Sequence, residues 1–325
     1  MANSWNGKLC CLCIALVPFG LAWPVEANGT FTILPAGTLA YSINDNGAVT
    51  GQSDSSGFLR TPDGTITSFR APGDVLGTVG VSINADDAIA GHYIGADGLA
   101  HGFVRSPDGT FTEFAVKRAA GGTYPQCITA PGVVVGYYFD AARLAHGFVR
   151  APDGAITAFS VRHKTETRAM CANDAGEAVG TWTDRSGALH GFVRDPQGAI
   201  TPFDAPGNGY TWGFGINNQG DVTGYYETVG EHGYIRLSDG TFTLFDVPGS
   251  QATEPVAINS SGETAGIVSR NGFIREPDGT ITPFKAPGAN SGTYPAGINS
   301  SGAIVGTFYV RSGNRYTPYG FIRTP

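Results

Sequence analysis

Seven times along the chain a threonine opens the same short phrase. Thr38, Thr78, Thr123, Thr167, Thr211, Thr253 and Thr293 each stand five residues before an apolar residue: Ile43, Ile83, Ile128, Ala172, Ile216, Ile258 and Ile298. The next residue is Asn44, Asn84, Thr129, Asn173, Asn217, Asn259 or Asn299. The spacing between successive threonines runs from 40 to 45 residues. A fixed period of this length means stacked structural units, each too small to bury its own apolar faces. Paired-helix repeats have similar periods, but apolar residues here alternate over short runs that end in Gly, Pro or Asn, which is strand patterning.

Each unit divides into four strands. In the fifth, residues 211–217 form strand a, 221–226 strand b, 233–236 strand c and 241–245 strand d. Five of the a–b turns read Asn-x-x-Gly, and four c–d turns read Pro-Asp-Gly. Asn bonds its own backbone two residues on, Pro presets the first turn position, and Gly takes the left-handed one. Four antiparallel strands in 40 to 45 residues are the pattern of a β-propeller blade. The expected fold is therefore all-β, a seven-bladed β-propeller. The aromatics that end strand d (Phe69, Phe114, Phe159, Phe203, Phe245 and Phe284) are read as packing between blades.

The strand count leaves one remainder. The seventh unit has strand a (293–299), b (303–309) and c (319–323), then stops at Pro325 without strand d. Its missing half stands at the front: "NGTFTILPAG" at 28–37 matches the "DGTITSF" that follows strand c elsewhere, with Thr30 to Leu34 aligned on Thr65 to Phe69. The N-terminal strand is expected to complete the last blade and close the ring, which removes both open edges. An open β-solenoid, the alternative, gives no reason for the two ends to be complementary.

The units resemble the HAF repeat, a family of extracellular bacterial repeat proteins. The likeness is carried by "HGFVR" at 101, 146 and 190, by the Pro-Asp-Gly-x-x-Thr that follows it, and by "GINNQG" and "GINSSG". It spans residues 28–325 and implies a propeller-like fold and an exported protein, but no particular activity. Residues 1–27 fit that location. Lys8 precedes the apolar stretch "LCCLCIALVPFGLAW", too short to span a bilayer comfortably, and small residues lead up to Ala27, so the segment reads as a secretory signal peptide. A secreted or periplasmic monomer, touching a membrane only during export, is the expectation. The net charge of −7 disfavours nucleic acid, which needs a basic surface. No cofactor motif is present, and no metal is expected.

Function is expected on one face. The a–b and c–d turns are short and uniform; the b–c loops and the d-to-a crossovers vary and share the opposite face. Variable loops on a rigid scaffold are where binding usually sits. The residue after each repeated Thr lies there too: Leu39, Val79, Tyr124, Arg168, Trp212, Glu254 and Tyr294. Its neighbours are uniform and it is not. Tyr124, Arg168, Trp212, Glu254 and Tyr294 around the axis would suit a sugar, with aromatic faces stacking on ring faces and charged groups binding hydroxyls or carboxylates. The alternative is that these side chains fill the gaps between blades. The crossover "SVRHKTET" (160–167) departs most from the repeat and reads either as a solvated charged loop or as an anion contact.

His101, His146, His190 and His232 recur at the start of strand c, far from the axis, so they are expected to make a repeated structural hydrogen bond. His92 lies instead on strand b and joins the candidates. Cys127 and Cys171 share a position that other units fill with Ser42, Ser82, Gly215, Ala257 or Gly297. Buried, unbridged cysteines are the first expectation. A bridge formed after export is the alternative, and it needs neighbouring inner strands within the ~4.4–6.8 Å Cα separation of a disulfide.

Two functional classes follow: a secreted, non-enzymatic module binding a glycan or a protein surface, or a polysaccharide lyase or hydrolase with its site in the axial funnel.

Overall fold

The computed structural model describes residues 29–207 and 209–325. The export signal read at 1–27 lies outside the described residues. The fold is an all-β ring of seven four-stranded antiparallel sheets. Each blade runs a-b-c-d outward from the axis, and the a strands of adjacent blades touch around the ring. Six blades are contiguous in sequence. The seventh takes strands a (Thr293–Ile298), b (Ile304–Ser312) and c (Arg315–Thr324) from the C-terminus and strand d (Thr30–Ala36) from the N-terminus. Phe31 pairs with Arg323 as Ile66 pairs with Arg60 in blade one, so the register is that of an ordinary strand d.

The repeated residues each perform one structural task. The first Thr of strand a is fully buried and its hydroxyl accepts the backbone N–H of the crossover entering the blade: Ala71 to Thr78 at 3.0 Å, Val116 to Thr123 at 3.0 Å and Val247 to Thr253 at 3.0 Å, among others. In blade one the same hydroxyl accepts Gly320 N–H from the last blade, at 2.9 Å. The aromatic ending strand d packs on the next blade, where an Arg at the end of strand c lies over its ring: Arg105 on Phe69 at 5.2 Å, Arg275 on Phe245 at 5.0 Å and Arg323 on Phe284 at 5.1 Å. The glycine of strand c makes room for that ring. A Cβ on Gly102 would come within 2.7 Å of the Phe114 ring. The one blade junction without a ring is the closure, where Leu34 takes the Phe position and packs with Phe58.

At the turn face a hydrogen-bonded belt runs around the axis. The Asn ending each strand a donates through Nδ2 to the backbone carbonyl of its counterpart in the next blade. Asn44 reaches Asn84 at 2.8 Å, Asn84 reaches Thr129 at 3.1 Å, Asn173 reaches Asn217 at 3.1 Å, and Asn217 reaches Asn259 at 3.2 Å. Asn259 reaches Asn299 at 2.9 Å, and Asn299 closes on Asn44 at 3.0 Å. The gap falls after Thr129, which has no Nδ2. At that same junction Cys127 and Cys171 form a disulfide, with Cα atoms 4.9 Å apart. The first expectation for the cysteines is thereby corrected. Inner strands approach closely because their fifth position holds small residues, and a Cβ on Gly215 would lie 3.3 Å from the Ala257 Cα.

One element is longer than its sequence pattern suggested. Strands b and c of the last blade extend beyond 303–309 and 319–323 into a hairpin paired out to Ser312 and Arg315, turning at Gly313 with φ 59°. No other unit has this insertion, so the repeat gave no template for it.

Candidate functional site

Crossovers and b–c loops share one face, as expected, and are bonded to each other there: Thr78 N–H to Ser55 O at 3.0 Å, Thr183 N–H to Glu166 O at 3.0 Å and Tyr309 N–H to Gly292 O at 3.0 Å. Strand a starts at this face. Its second residue is half-buried in six blades: Leu39, Tyr124, Arg168, Trp212, Glu254 and Tyr294. Val79 is the exception, buried at 6% exposure. The six therefore reach solvent at the rim of the axis rather than being sealed between blades.

Each second residue has a cross-strand partner, and of these partners the sequence had singled out only His92. Val79 pairs with His92, Tyr124 with Tyr137, Arg168 with Thr181, Trp212 with Tyr225, Glu254 with Ile267 and Tyr294 with Thr307. The partner directly follows the glycine of strand b, whose missing Cβ lets the inner strand's carbonyl approach. It varies from blade to blade as strongly as the residue after Thr, and that parallel variation was the available signal. His92 belongs to this set, so it occupies a regular variable position.

The structure joins three candidates in one cluster across blades two to four. The His92 ring lies 5.4 Å from the Tyr124 ring, edge on. Tyr124 stacks on Tyr137 at 5.4 Å and meets Phe139 at 5.7 Å. From the next blade, the Arg168 guanidinium lies 5.0 Å over Tyr137 and 5.2 Å over Phe139. Its Nη2 donates to Glu166 at 2.9 Å. The rings and the Glu166 carboxylate hold the guanidinium in place, and its remaining N–H donors can meet a ligand. Burial drives the His92 pKa down to about 4, so its ring is neutral near pH 7. His92 Nδ1 is buried and finds no hydrogen-bond partner among the described residues.

The other candidates form separate groups. Trp212 stacks on Tyr225 at 4.6 Å, with Phe214 stacked on the far partner at 5.7 Å. Phe214 is the extra residue of the bulge that interrupts every strand a, here between Gly213 and Gly215. Tyr294 packs on Tyr309 at 5.8 Å. Glu254 lies against Glu231 at the start of strand c in blade five (Glu231–Arg236). Desolvation first, and then the charge and hydrogen bond of Glu231, hold the Glu254 carboxyl up to about 8. One proton is thus retained on this pair at neutral pH, as for any two carboxyls that cannot both ionise.

The strand-c histidines are spread over four blades. His101 bonds Asp97 at 3.0 Å, His146 bonds Asp140 at 3.0 Å, His190 bonds Asp204 at 2.6 Å and His232 bonds Asp246 at 3.0 Å. Each also packs on a strand-b aromatic, as His190 does on Trp182 at 4.7 Å. They are thus bound into the scaffold, in the structural role expected of them.

No family model and no curated protein matches the chain. Solved structures do. A streptogramin B lyase superimposes with a TM-score of 0.64 at 14% identity, over 90% of this chain and 97% of that one. A catalytically inactive virginiamycin B lyase from Staphylococcus aureus, solved with quinupristin, gives 0.64 at 15% identity, over 90% and 99%. A chain of a mitotic checkpoint complex gives 0.59 at 12% identity, over 98% and 99%. At these identities the likeness is one of fold, and the same seven-bladed fold carries both a lyase and a component of a protein assembly.

Proposed function

We propose that this is an exported propeller of the HAF-repeat type that binds a carbohydrate at the axial end of its loop face without transforming it. The observation that carries the reading is the continuous cluster of Tyr124, Tyr137, Phe139 and Arg168, flanked by buried His92. Flat aromatic faces beside an oriented guanidinium match the two surfaces of a sugar ring, its apolar C–H face and its ring of hydroxyls. Trp212 on Tyr225 offers a second platform on the same rim. Screening against immobilised glycans tests the reading. Trp212→Ala and Tyr124→Ala are expected to weaken retention by about tenfold each, the scale of losing one stacked ring and its buried area. Retention equal to that of the parent in both variants would refute it.

One observation favours a second reading, a polysaccharide lyase or hydrolase. The Glu254–Glu231 pair holds a proton up to about pH 8, which is what a general acid needs. Incubation with neutral and acidic polysaccharides, followed for new reducing ends and unsaturated products, separates the two. Activity that vanishes in Glu254→Gln would replace the binding reading with the enzymatic one.

A further inference from the structure

The crossover 160–167, the segment least like its counterparts, does not join the axial cluster except through Glu166. Its Arg162 and His163 form one wall of a separate cavity of about 430 Å³, lined also by Asp184 and Arg185. Asp184 and Arg185 come from the b–c loop of the same blade. The crossover is not a loose loop. Thr165 is buried and its hydroxyl donates to Arg162 O at 3.0 Å, and Lys164 turns the chain with φ 61°. The Arg162 guanidinium carbon lies over the Trp182 ring, 5.1 Å from its centroid. Trp182 itself is buried, and its Nε1 finds no partner among the described residues.

The charges in this cavity are unequally engaged. The Asp184 carboxylate already accepts from Ser186 N–H at 2.7 Å, the Ser186 hydroxyl at 2.6 Å and Ala188 N–H at 2.9 Å, and it faces His190 Nε2 at 3.6 Å. Arg162 and Arg185 form no ion pair with any described carboxylate. Two uncommitted guanidinium groups therefore meet at one cavity of a chain whose net charge is −7. Two guanidinium forks at one cavity, one of them packed on an indole, can receive a tetrahedral or planar oxyanion through paired N–H bonds.

We propose that this rim cavity on blade four is an anion subsite that selects glycans carrying sulfate or carboxylate groups, with Arg162 and Arg185 as the donors. The polymer rests on the carbohydrate reading above; the anion site does not. The crossover that supplies Arg162 also supplies Glu166, which holds Arg168 at the axis, so one chain of sugar units has both places within a single loop of each other.

Affinity electrophoresis through gels containing polygalacturonate, chondroitin sulfate, hyaluronate or neutral dextran tests the proposal. The parent is expected to be retarded by at least one acidic polymer. R162A/R185A is expected to lose about tenfold or more of that affinity, with retardation in neutral gels and the melting temperature unchanged. Hyaluronate against chondroitin sulfate tells carboxylate from sulfate. Arg162→Lys keeps the charge but loses the flat fork, and is expected to recover only part of the affinity. Acidic retardation equal in parent and double variant would overturn the proposal and leave the axial reading intact. If no polymer retards the parent, the glycan reading falls. The anion site then stands only if millimolar inorganic sulfate raises the melting temperature of the parent and not of R162A/R185A.

Discussion

The break in the asparagine belt yields a test in which one covalent bond and one hydrogen bond exchange roles. Thr129 keeps half of what asparagine does elsewhere, since its hydroxyl accepts Val133 N–H at 3.1 Å as Asn44 Oδ1 accepts Ala48 N–H at 2.9 Å. What it lacks is the donor to Asn173 O, and the disulfide spans that junction. Closing a loop of 44 residues restricts the unfolded chain by about 4 kcal/mol at 25 °C. For roughly 300 folded residues the unfolding entropy is about 0.6 kcal/mol/K, so removing the bridge is expected to lower Tm by about 6 °C. C127S/C171A is the cleanest perturbation, because serine fills this slot in blades one and two and alanine fills it in blade six. Adding Thr129→Asn should restore about 1 kcal/mol, or 1 to 2 °C, by closing the belt. Calorimetry on the oxidised parent, the double variant and the triple variant gives the three values. A double variant melting within about 1 °C of the parent, or a triple variant no more stable than the double, would refute the idea that the disulfide stands in for the missing asparagine.

Two further outcomes follow from the scaffold and its titrating groups. Deleting residues 28–36 removes buried Leu34 and the Phe31 contacts to Phe284 and Phe321 at 6.1 and 5.9 Å. It should cost at least the ~2–5 kcal/mol of a buried Leu truncation and expose an edge that self-associates; a monomeric, equally stable truncation on size-exclusion and melting would rule out the closure. The two shifted groups should also give stability opposite slopes against pH. The raised Glu254 pKa contributes stability that is full below the ordinary glutamate value and is lost as pH rises through about 8. The lowered His92 pKa contributes stability that is full above 6.5 and is lost as pH falls toward about 4. Tm measured against pH should flatten on its alkaline limb in Glu254→Gln, and an unchanged limb would show that Glu254 is not the group responsible.

The architecture was legible because propeller blades repeat a demand for the same residues. Thr clamps a crossover, Gly admits a ring, and Asn reaches the next blade, so each recurs at fixed spacing and its absence can be counted. The half-repeat at 28–37 was readable for the same reason. The Cys127–Cys171 bridge was not, because strand separation depends on backbone approach across a junction, which no single unit encodes. The partners on strand b other than His92 were overlooked for a related reason. Tyr137 and Tyr225 look like ordinary strand aromatics until pairing sets them beside Tyr124 and Trp212.

The same division of labour locates the site. Along strand a, the first residue holds the crossover, the third packs against the neighbouring blade, the fifth lets backbones approach and the last closes the turn. The second residue and its strand-b partner are released from these duties; six of the seven second residues, and the partners Gln52, Tyr137 and Tyr225, are half-buried. Variation is concentrated where the fold makes no demand, so these pairs are free to carry specificity. Replacing Tyr124 and Tyr137 by the blade-one pair, Leu39 and Gln52, should leave the fold untouched, since one blade already accepts that pair. Glycan retention should fall at least as far as in Tyr124→Ala. A Y124L/Y137Q protein that melts several degrees lower would mean that the tyrosines hold the blades together, and the space between Arg168 and His92 would then belong to the core.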